Sequence, residues 1–359
     1  MTAILHIISG LGTGGAETTL AQIAGTLQAR GISQHIVSIG DSGSHRNDLE
    51  DRSVAVTALG VKSIFGAPLG IFRLVRLIER LQPSVIQGWM YHGDLMALFG
   101  HRLARRRADR RLYWNLRASN IGQAGYGWLI RLCAYFSHLP DLVIANSEAG
   151  AAYHVKLGYR PRRLEVVANG IDTDKFRPDA ELRKAVRAEL KIAPDAVLVI
   201  HVARVHSMKD HETFLAAMAA IPRIEAVMVG SGTERLRVPA NVRALGLRRD
   251  VARIYAAGDI VVSTSAFGEG FSNAIAEGMS AGLVPIATDI GDARRIVHDT
   301  GAIVAIGDAA GLAARIAEEA ALSADQRRAR GLNARARIQE KFSLSRAVES
   351  FARLYAPTS

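Results

Sequence analysis

Short apolar runs alternate with amphipathic stretches along almost the whole chain. Residues 3–8 are apolar at the length of a buried strand and run into a glycine cluster. Leu20, Ile23 and Leu27 then recur at helical spacing up to Gly31, and residues 34–39 return to strand character. The same rhythm predicts strands over 54–59, from 85, and over 141–145, 197–202, 226–229, 244–247, 259–263 and 283–288. It predicts helices over 71–81, 180–190, 211–220, 251–257, 272–281 and 343–355. Strand–helix–strand repetition in two halves implies two doubly wound α/β domains facing a cleft.

The stretch from Ser265 to Asp292 concentrates the candidate chemistry. Glu269 stands between Gly268 and Gly270, and Ser272 suits the N-cap of a helix that ends before Gly282. A glycine-rich loop entering a helix start offers backbone N–H groups and the positive end of the dipole to an anion. Glu277, inside that helix, suits the vicinal hydroxyls of a ribose. Upstream, Arg204 and Lys209 share the loop after the strand at 197–202. A guanidinium fork and an ammonium point charge together neutralise a diphosphate. Gly230 and Gly232 let the backbone approach a nucleobase closely. Gly10, Gly12 and Gly15 satisfy the G-x-G-x-x-G dinucleotide fingerprint, with Asp41 in the place of its ribose-binding acid. The alternative reading of this turn is the run Gly14-Gly15-Ala16-Glu17.

Glu269 and Glu277, with Gly270-Phe271-Ser272-Asn273 after the first, resemble the E-x7-E motif of the retaining glycosyltransferases of family 4. Gly14 to Glu17 resembles the G-G-A-E opening of that family. Asn169-Gly170-Ile171-Asp172 followed by Phe176-Arg177-Pro178 resembles the run that ends its first domain. The resemblance covers nearly the whole chain and is strongest over 202–292. It implies the GT-B fold, with two Rossmann-like doubly wound domains around a central cleft. Residues 1–178 would bind the acceptor and residues 179–342 the nucleotide-sugar, while the terminal helix, 343–359, packs back on the first domain. It further implies a retaining transfer from a nucleotide-diphosphate sugar, a UDP-sugar favoured, to a glycan or lipid-linked glycan. No metal or cofactor is implied, and the leaving phosphate takes the acceptor's proton. In this picture the Gly14–Gly15 backbone, Arg204 and Lys209 meet the diphosphate. Phe271, Ser272 and Asn273 bind the donor, Glu277 holds the ribose, Glu269 holds sugar hydroxyls, and His92 contacts the transferred sugar. The runs WMYHGD at 89–94 and NLRAS at 115–119 resemble a branch serving lipopolysaccharide and exopolysaccharide assembly, which makes Tyr91 and Arg117 acceptor-side candidates.

A formal charge of +11 calls for an acidic partner. No zinc-ligand cluster or RNA-binding signature accompanies it, which favours phosphorylated small molecules or an anionic membrane over nucleic acid. The arginine-rich stretch Arg102–Arg111 is either a solvated helix end or a patch for lipid headgroups or the diphosphate of a lipid-linked acceptor. The single cysteine, Cys133, excludes an internal disulfide and fits a reducing compartment. No apolar run reaches bilayer length, and the N-terminal residues lack the basic segment of a signal peptide. A cytoplasmic protein, peripheral on the inner membrane face, is expected. Asp172-Thr173-Asp174 also reads as the metal-binding D-x-D of a different glycosyltransferase fold, although a hinge accounts for both aspartates. A dinucleotide-binding oxidoreductase, a GT-B nucleotide-sugar epimerase and a non-catalytic subunit are the alternatives.

Overall fold

The computed structural model describes residues 3–12, 14–41, 43–106, 108, 110–117 and 127–357. Arg107 of the arginine-rich stretch, and Ala118 and Ser119 of the NLRAS run, lie outside the described residues. The chain divides into two compact units, one of residues 1–170 with 344–359 and one of residues 171–343.

The first unit is built on seven parallel strands: β1 (Ala3–Ile8), β2 (Ser33–Ser38), β3 (Ala55–Ala58), β4 (Val85–Trp89), β5 (Arg111–Leu116), β6 (Leu142–Ala145) and β7 (Leu164–Val166). Their spatial order is β3-β2-β1-β4-β5-β6-β7. Parallel strands need crossovers that cover both sheet faces, so β1 and β4 to β6 read as nearly unbroken apolar runs. Helices Ala67–Leu81, Met90–Leu103 and Gly127–Phe136 bury one face around Leu74, Leu98 and Ile130. Helix Gly15–Ala29 buries the other, together with the C-terminal helix Leu344–Tyr355.

That last helix returns to the first sheet, as expected. Phe351 stacks on Trp89 at 6.2 Å and Tyr355 on Tyr113 at 6.3 Å. Its final carbonyls have no partner within the helix. Arg111 donates to those of Leu354, Tyr355 and Ala356, and the Tyr113 hydroxyl donates to Leu354.

The second unit repeats the plan with β8 (Leu198–Val202), β9 (Glu225–Val229), β10 (Val242–Ala244), β11 (Ile260–Ser263), β12 (Val284–Thr288) and β13 (Ala302–Val304), in the order β10-β9-β8-β11-β12-β13. Residues 244–247 were expected as a strand. The pairing instead falls at Val242–Ala244 opposite β9, and Gly246, at φ +68°, turns the chain out of the ladder. The helix expected from residue 71 begins at Ala67, with Pro68 in its first turn, where a missing N–H costs nothing.

Helix Ala180–Glu189 covers this unit rather than linking the two. Asp259, just before β11, accepts from Arg183 at 2.8 Å, from Arg187 at 2.7 Å and from the Leu198 amide at 2.9 Å. Arg187 is buried and also caps the carbonyls of Ala193, Pro194, Ala196 and Ala257. Arg187→Ala leaves Asp259 and these carbonyls short of a donor, and should destabilise the second unit by about 3–5 kcal/mol. Urea unfolding of the full chain measures this, and a loss below about 1 kcal/mol would contradict the assignment.

Candidate functional site

In an open α/β sheet the strand ends open a crevice where the order reverses. In the second unit that place lies between β8 and β11. The loop after β8 carries Arg204 to Lys209, and the loop after β11 carries Thr264 to Gly270. The two loops are laced together. The Ala266 N–H donates to the Met208 carbonyl at 2.8 Å, and the Thr264 hydroxyl lies 2.9 Å from the carbonyls of both Lys209 and Asp210. Asp210 adopts the left-handed conformation, φ +43°, which explains why glycine suits the position and why aspartate is accepted there. Its carboxylate also caps helix His211–Ala220 at Thr213.

This lacing brings Lys209 and Glu269 together. The Lys209 ammonium is ion-paired to the Glu269 carboxylate, and Ser265 donates to the same carboxylate at 3.0 Å. Ser265 is held in turn by Thr288 of β12, whose hydroxyl donates to its carbonyl at 2.6 Å. Gly291, at φ +58°, lies so close to the carbonyls of Glu269 and Gly270 that a Cβ would overlap them. The Asp292 N–H donates to Gly270 at 2.9 Å, which fixes the Glu269 loop from its far side. Arg204 lies on the same loop as Lys209, exposed, with no ion pair among the described residues.

The helix expected from Ser272 spans Asn273–Ser280. Ser272 occupies the N-cap, but its hydroxyl makes no capping hydrogen bond, a correction to the expected role. Phe271 is buried, edge-on to Phe342 at 5.4 Å. Glu277 is half-buried and neighbours Lys175 and the Tyr255 hydroxyl. Burial raises its carboxyl to about 7, against the opposing pull of Lys175 and of Tyr255. Lys175 belongs to the run that resembled a domain end. That run is tied into this unit by Ser280 and Arg335, both of which donate to the Phe176 carbonyl. Gly230, at φ +151°, packs against the Ala203 backbone so tightly that any Cβ would overlap it, and Gly232 turns at φ +90°. Arg248 is ion-paired to Asp250 and Glu189. Asp172 of the D-x-D triplet accepts the backbone N–H groups of Asp174 and Lys175.

The first unit has its own reversal between β1 and β4. Gly14 caps helix Gly15–Ala29, and the Glu17 carboxylate folds back over it. After β4 the chain turns at Met90, φ +62°, directly into a helix. His92 stands in that helix's first turn, exposed, with its imidazole shifted down by partial desolvation. Tyr91 points inward. Its hydroxyl meets His154 Nε2 at 2.9 Å, and burial raises its pKa, so the interior occupies this acceptor-side candidate. Arg117 lies 4.7 Å over the Trp89 ring and donates to the Asn169 side chain, and burial lowers it to about 9. Within the arginine-rich stretch, Arg110 is buried against the Arg105 carbonyl and Arg111 caps the C-terminal helix. Arg102, Arg105 and Arg106 are exposed.

The structure thus gathers Lys209, Glu269 and Ser265 in one cluster, while Glu277 has a separate environment. Ser265, Lys175 and Tyr255 were missed as site residues. Lys175 and Tyr255 reach Glu277 only through tertiary packing, whereas Ser265, four residues before Glu269, carried a local signal.

Comparison with known proteins agrees across both units. The model of "Glycosyltransferase Family 4" matches residues 13–175, and that of "Glycosyl transferases group 1" matches residues 196–320. A D-inositol 3-phosphate glycosyltransferase of Mycobacterium sp. (strain KMS) is 31% identical over 183 residues, 46% of this chain and 41% of the relative. The chain therefore spans under half the length of the first curated relatives it matches. The putative glycosyltransferase EpsF of Bacillus subtilis (strain 168) is 22% identical over 80% of this chain and 79% of its own. Anabaena Alr3699/HepE, solved with UDP-glucose, superposes with a TM-score of 0.86 at 22% identity over 99% of both chains. The lipopolysaccharide outer core galactosyltransferase WaaB superposes at 0.69, 14% identical over 98% of both. Two parallel Rossmann-like sheets with a terminal helix returned to the first, matched along both halves by these models, place the chain in glycosyltransferase family 4, with the GT-B fold.

Proposed function

We propose that the protein is a retaining hexosyltransferase that moves a sugar from a UDP-sugar to a glycan or lipid-linked glycan during cell-surface polysaccharide assembly. The observation that carries this is the Lys209–Glu269–Ser265 cluster at the β8/β11 reversal, followed at once by a helix start and by Glu277. Lys209, Arg204 and the amides around Ser272 and Asn273 stabilise the departing diphosphate through fixed charge and dipoles. Glu277 accepts the ribose hydroxyls. Glu269 exchanges part of its pairing with Lys209 for hydrogen bonds to the transferred sugar. The bond from the anomeric carbon to the leaving phosphate oxygen breaks as the acceptor oxygen bonds on the same face, and the phosphate takes the acceptor's proton. His92 serves the sugar and acceptor side, where its depressed pKa favours the neutral imidazole at pH 7.

The donor base follows HepE, solved with UDP-glucose. The pathway follows WaaB, named for the lipopolysaccharide outer core. Among the described residues no helix is long and apolar enough to cross a membrane. We place the protein on the cytoplasmic side, where nucleotide sugars are made, and assign the exposed arginines of the Arg102–Arg111 stretch to a membrane-linked acceptor.

Two sets of measurements test this. A carboxyl near 7 in the free protein is half protonated at neutral pH, and only the carboxylate accepts both ribose hydroxyls. UDP affinity should therefore rise between pH 6 and pH 8 by more in the wild type than in Glu277→Gln. At pH 8 the variant should bind UDP about tenfold or more weakly, since a hydrogen bond to a charged group contributes about 1.5–3 kcal/mol. Equal calorimetric affinities would remove the ribose role. Lys209→Ala should slow UDP-glucose hydrolysis, a reaction that needs no acceptor, by about 100-fold or more with the fold intact. Near-normal turnover would sink the diphosphate assignment.

A further inference from the structure

Helix Ala67–Leu81 is amphipathic in an unusual sense. Its inward face, Gly70, Leu74, Leu77 and Ile78, is buried in the first unit's core. Its outward face is not uniformly polar. Phe65, in the turn just before it, is 91% exposed, and Leu69 and Phe72 follow one and two helical turns later at 54% and 53%. The stripe continues into Arg76, whose guanidinium lies 4.8 Å over the Phe72 ring. An apolar stripe of this kind is costly to leave in water and marks a surface that meets another phase or molecule.

The neighbouring helices continue the pattern. Helix Met90–Leu103 packs beside the first and exposes Leu103, and helix Gly127–Phe136 packs beside the second and exposes Trp128 and Tyr135. All three rest on one sheet face through a shared core. Across their described residues, 60–82, 90–106 and 127–138, eight Lys and Arg side chains are exposed. Only two carboxylates fall in the same segments. Asp94 is fully buried, and Glu79 is half-buried with the Arg105 amide on it.

We infer that this three-helix layer docks on an anionic lipid bilayer. The near absence of exposed acids selects a negative partner. Phe65, Leu69 and Phe72 require hydrocarbon, and Trp128 and Tyr135 suit the headgroup boundary. Anionic headgroups over acyl chains supply both at once, with arginines in the headgroup layer and phenylalanines below it. A polyanion such as RNA satisfies the arginines but leaves the aliphatic and phenyl stripe in water. Docking does not depend on the transfer reading, and it enlarges the expected patch at Arg102–Arg111, whose last two arginines are used inside the protein.

The test is co-sedimentation of the full chain with vesicles of phosphatidylcholine alone or mixed with phosphatidylglycerol. The wild type should bind the mixed vesicles and not the neutral ones. Binding should fall at least about tenfold in F65S/L69S/F72S, and also in R76S/R102S/R106S. These positions are exposed, so circular dichroism and UDP affinity should stay as in the wild type. Three outcomes overturn the inference. The wild type fails to bind mixed vesicles; F65S/L69S/F72S binds them as well as the wild type; or the wild type ignores lipid and self-associates until F65S/L69S/F72S makes it monomeric.

Discussion

Parallel strands can be joined only by crossovers, and the place where successive crossovers change side is where two neighbouring strand ends open together. The second unit has this reversal between β8 and β11. The loops there must satisfy their backbone groups with each other, since no strand continues between them. Thr264, Met208 and Ala266 do so, and the side chains left over from that lacing are Lys209, Ser265 and Glu269. The chemistry of the site is thus a consequence of where the sheet changes direction.

Two glutamates eight positions apart are given different electrostatic surroundings by this arrangement. Glu269 meets an ammonium and a hydroxyl directly. Glu277 sits in a helix packed onto β11, where the charge of Lys175 and the Tyr255 hydroxyl offset only part of its desolvation. A largely buried ion pair such as Lys209–Glu269 is weak evidence for stability, because removing both charges from water offsets most of their attraction. Its retention in a solvent-poor loop fits a role in binding, with each partner held in place for a ligand that takes over the contact.

Arginine does two separate jobs in this basic chain. Arg187, Arg111 and Arg335 point several donors at backbone carbonyls in turns and at helix ends. A planar fork is well suited to this, whereas a lysine offers one point of contact. Other arginines stay exposed, among them Arg73, Arg76, Arg80, Arg102, Arg105, Arg106 and Arg131 on the three-helix layer of the first unit. Net charge alone therefore overstates how much basic surface meets a partner.

Local pattern was enough for the order and kind of most elements. Buried parallel strands must be short apolar runs, and their helices must carry an apolar stripe. The terminal helix was legible from Ala347, Phe351 and Leu354, and the loop–helix site from Glu269 through Glu277, because in both cases the signal lies within one or two turns of chain. Tertiary structure decided what depends on distant partners. It turned Tyr91 toward His154, left the Ser272 hydroxyl without a capping bond, and drew Arg110 and Arg111 into the framework. It moved a short strand to Val242–Ala244, where β9 could pair with it. It also placed Lys175 and Tyr255 beside Glu277. Each outcome depends on a group tens of residues away in the chain or on competition among partners, which only the closed fold resolves.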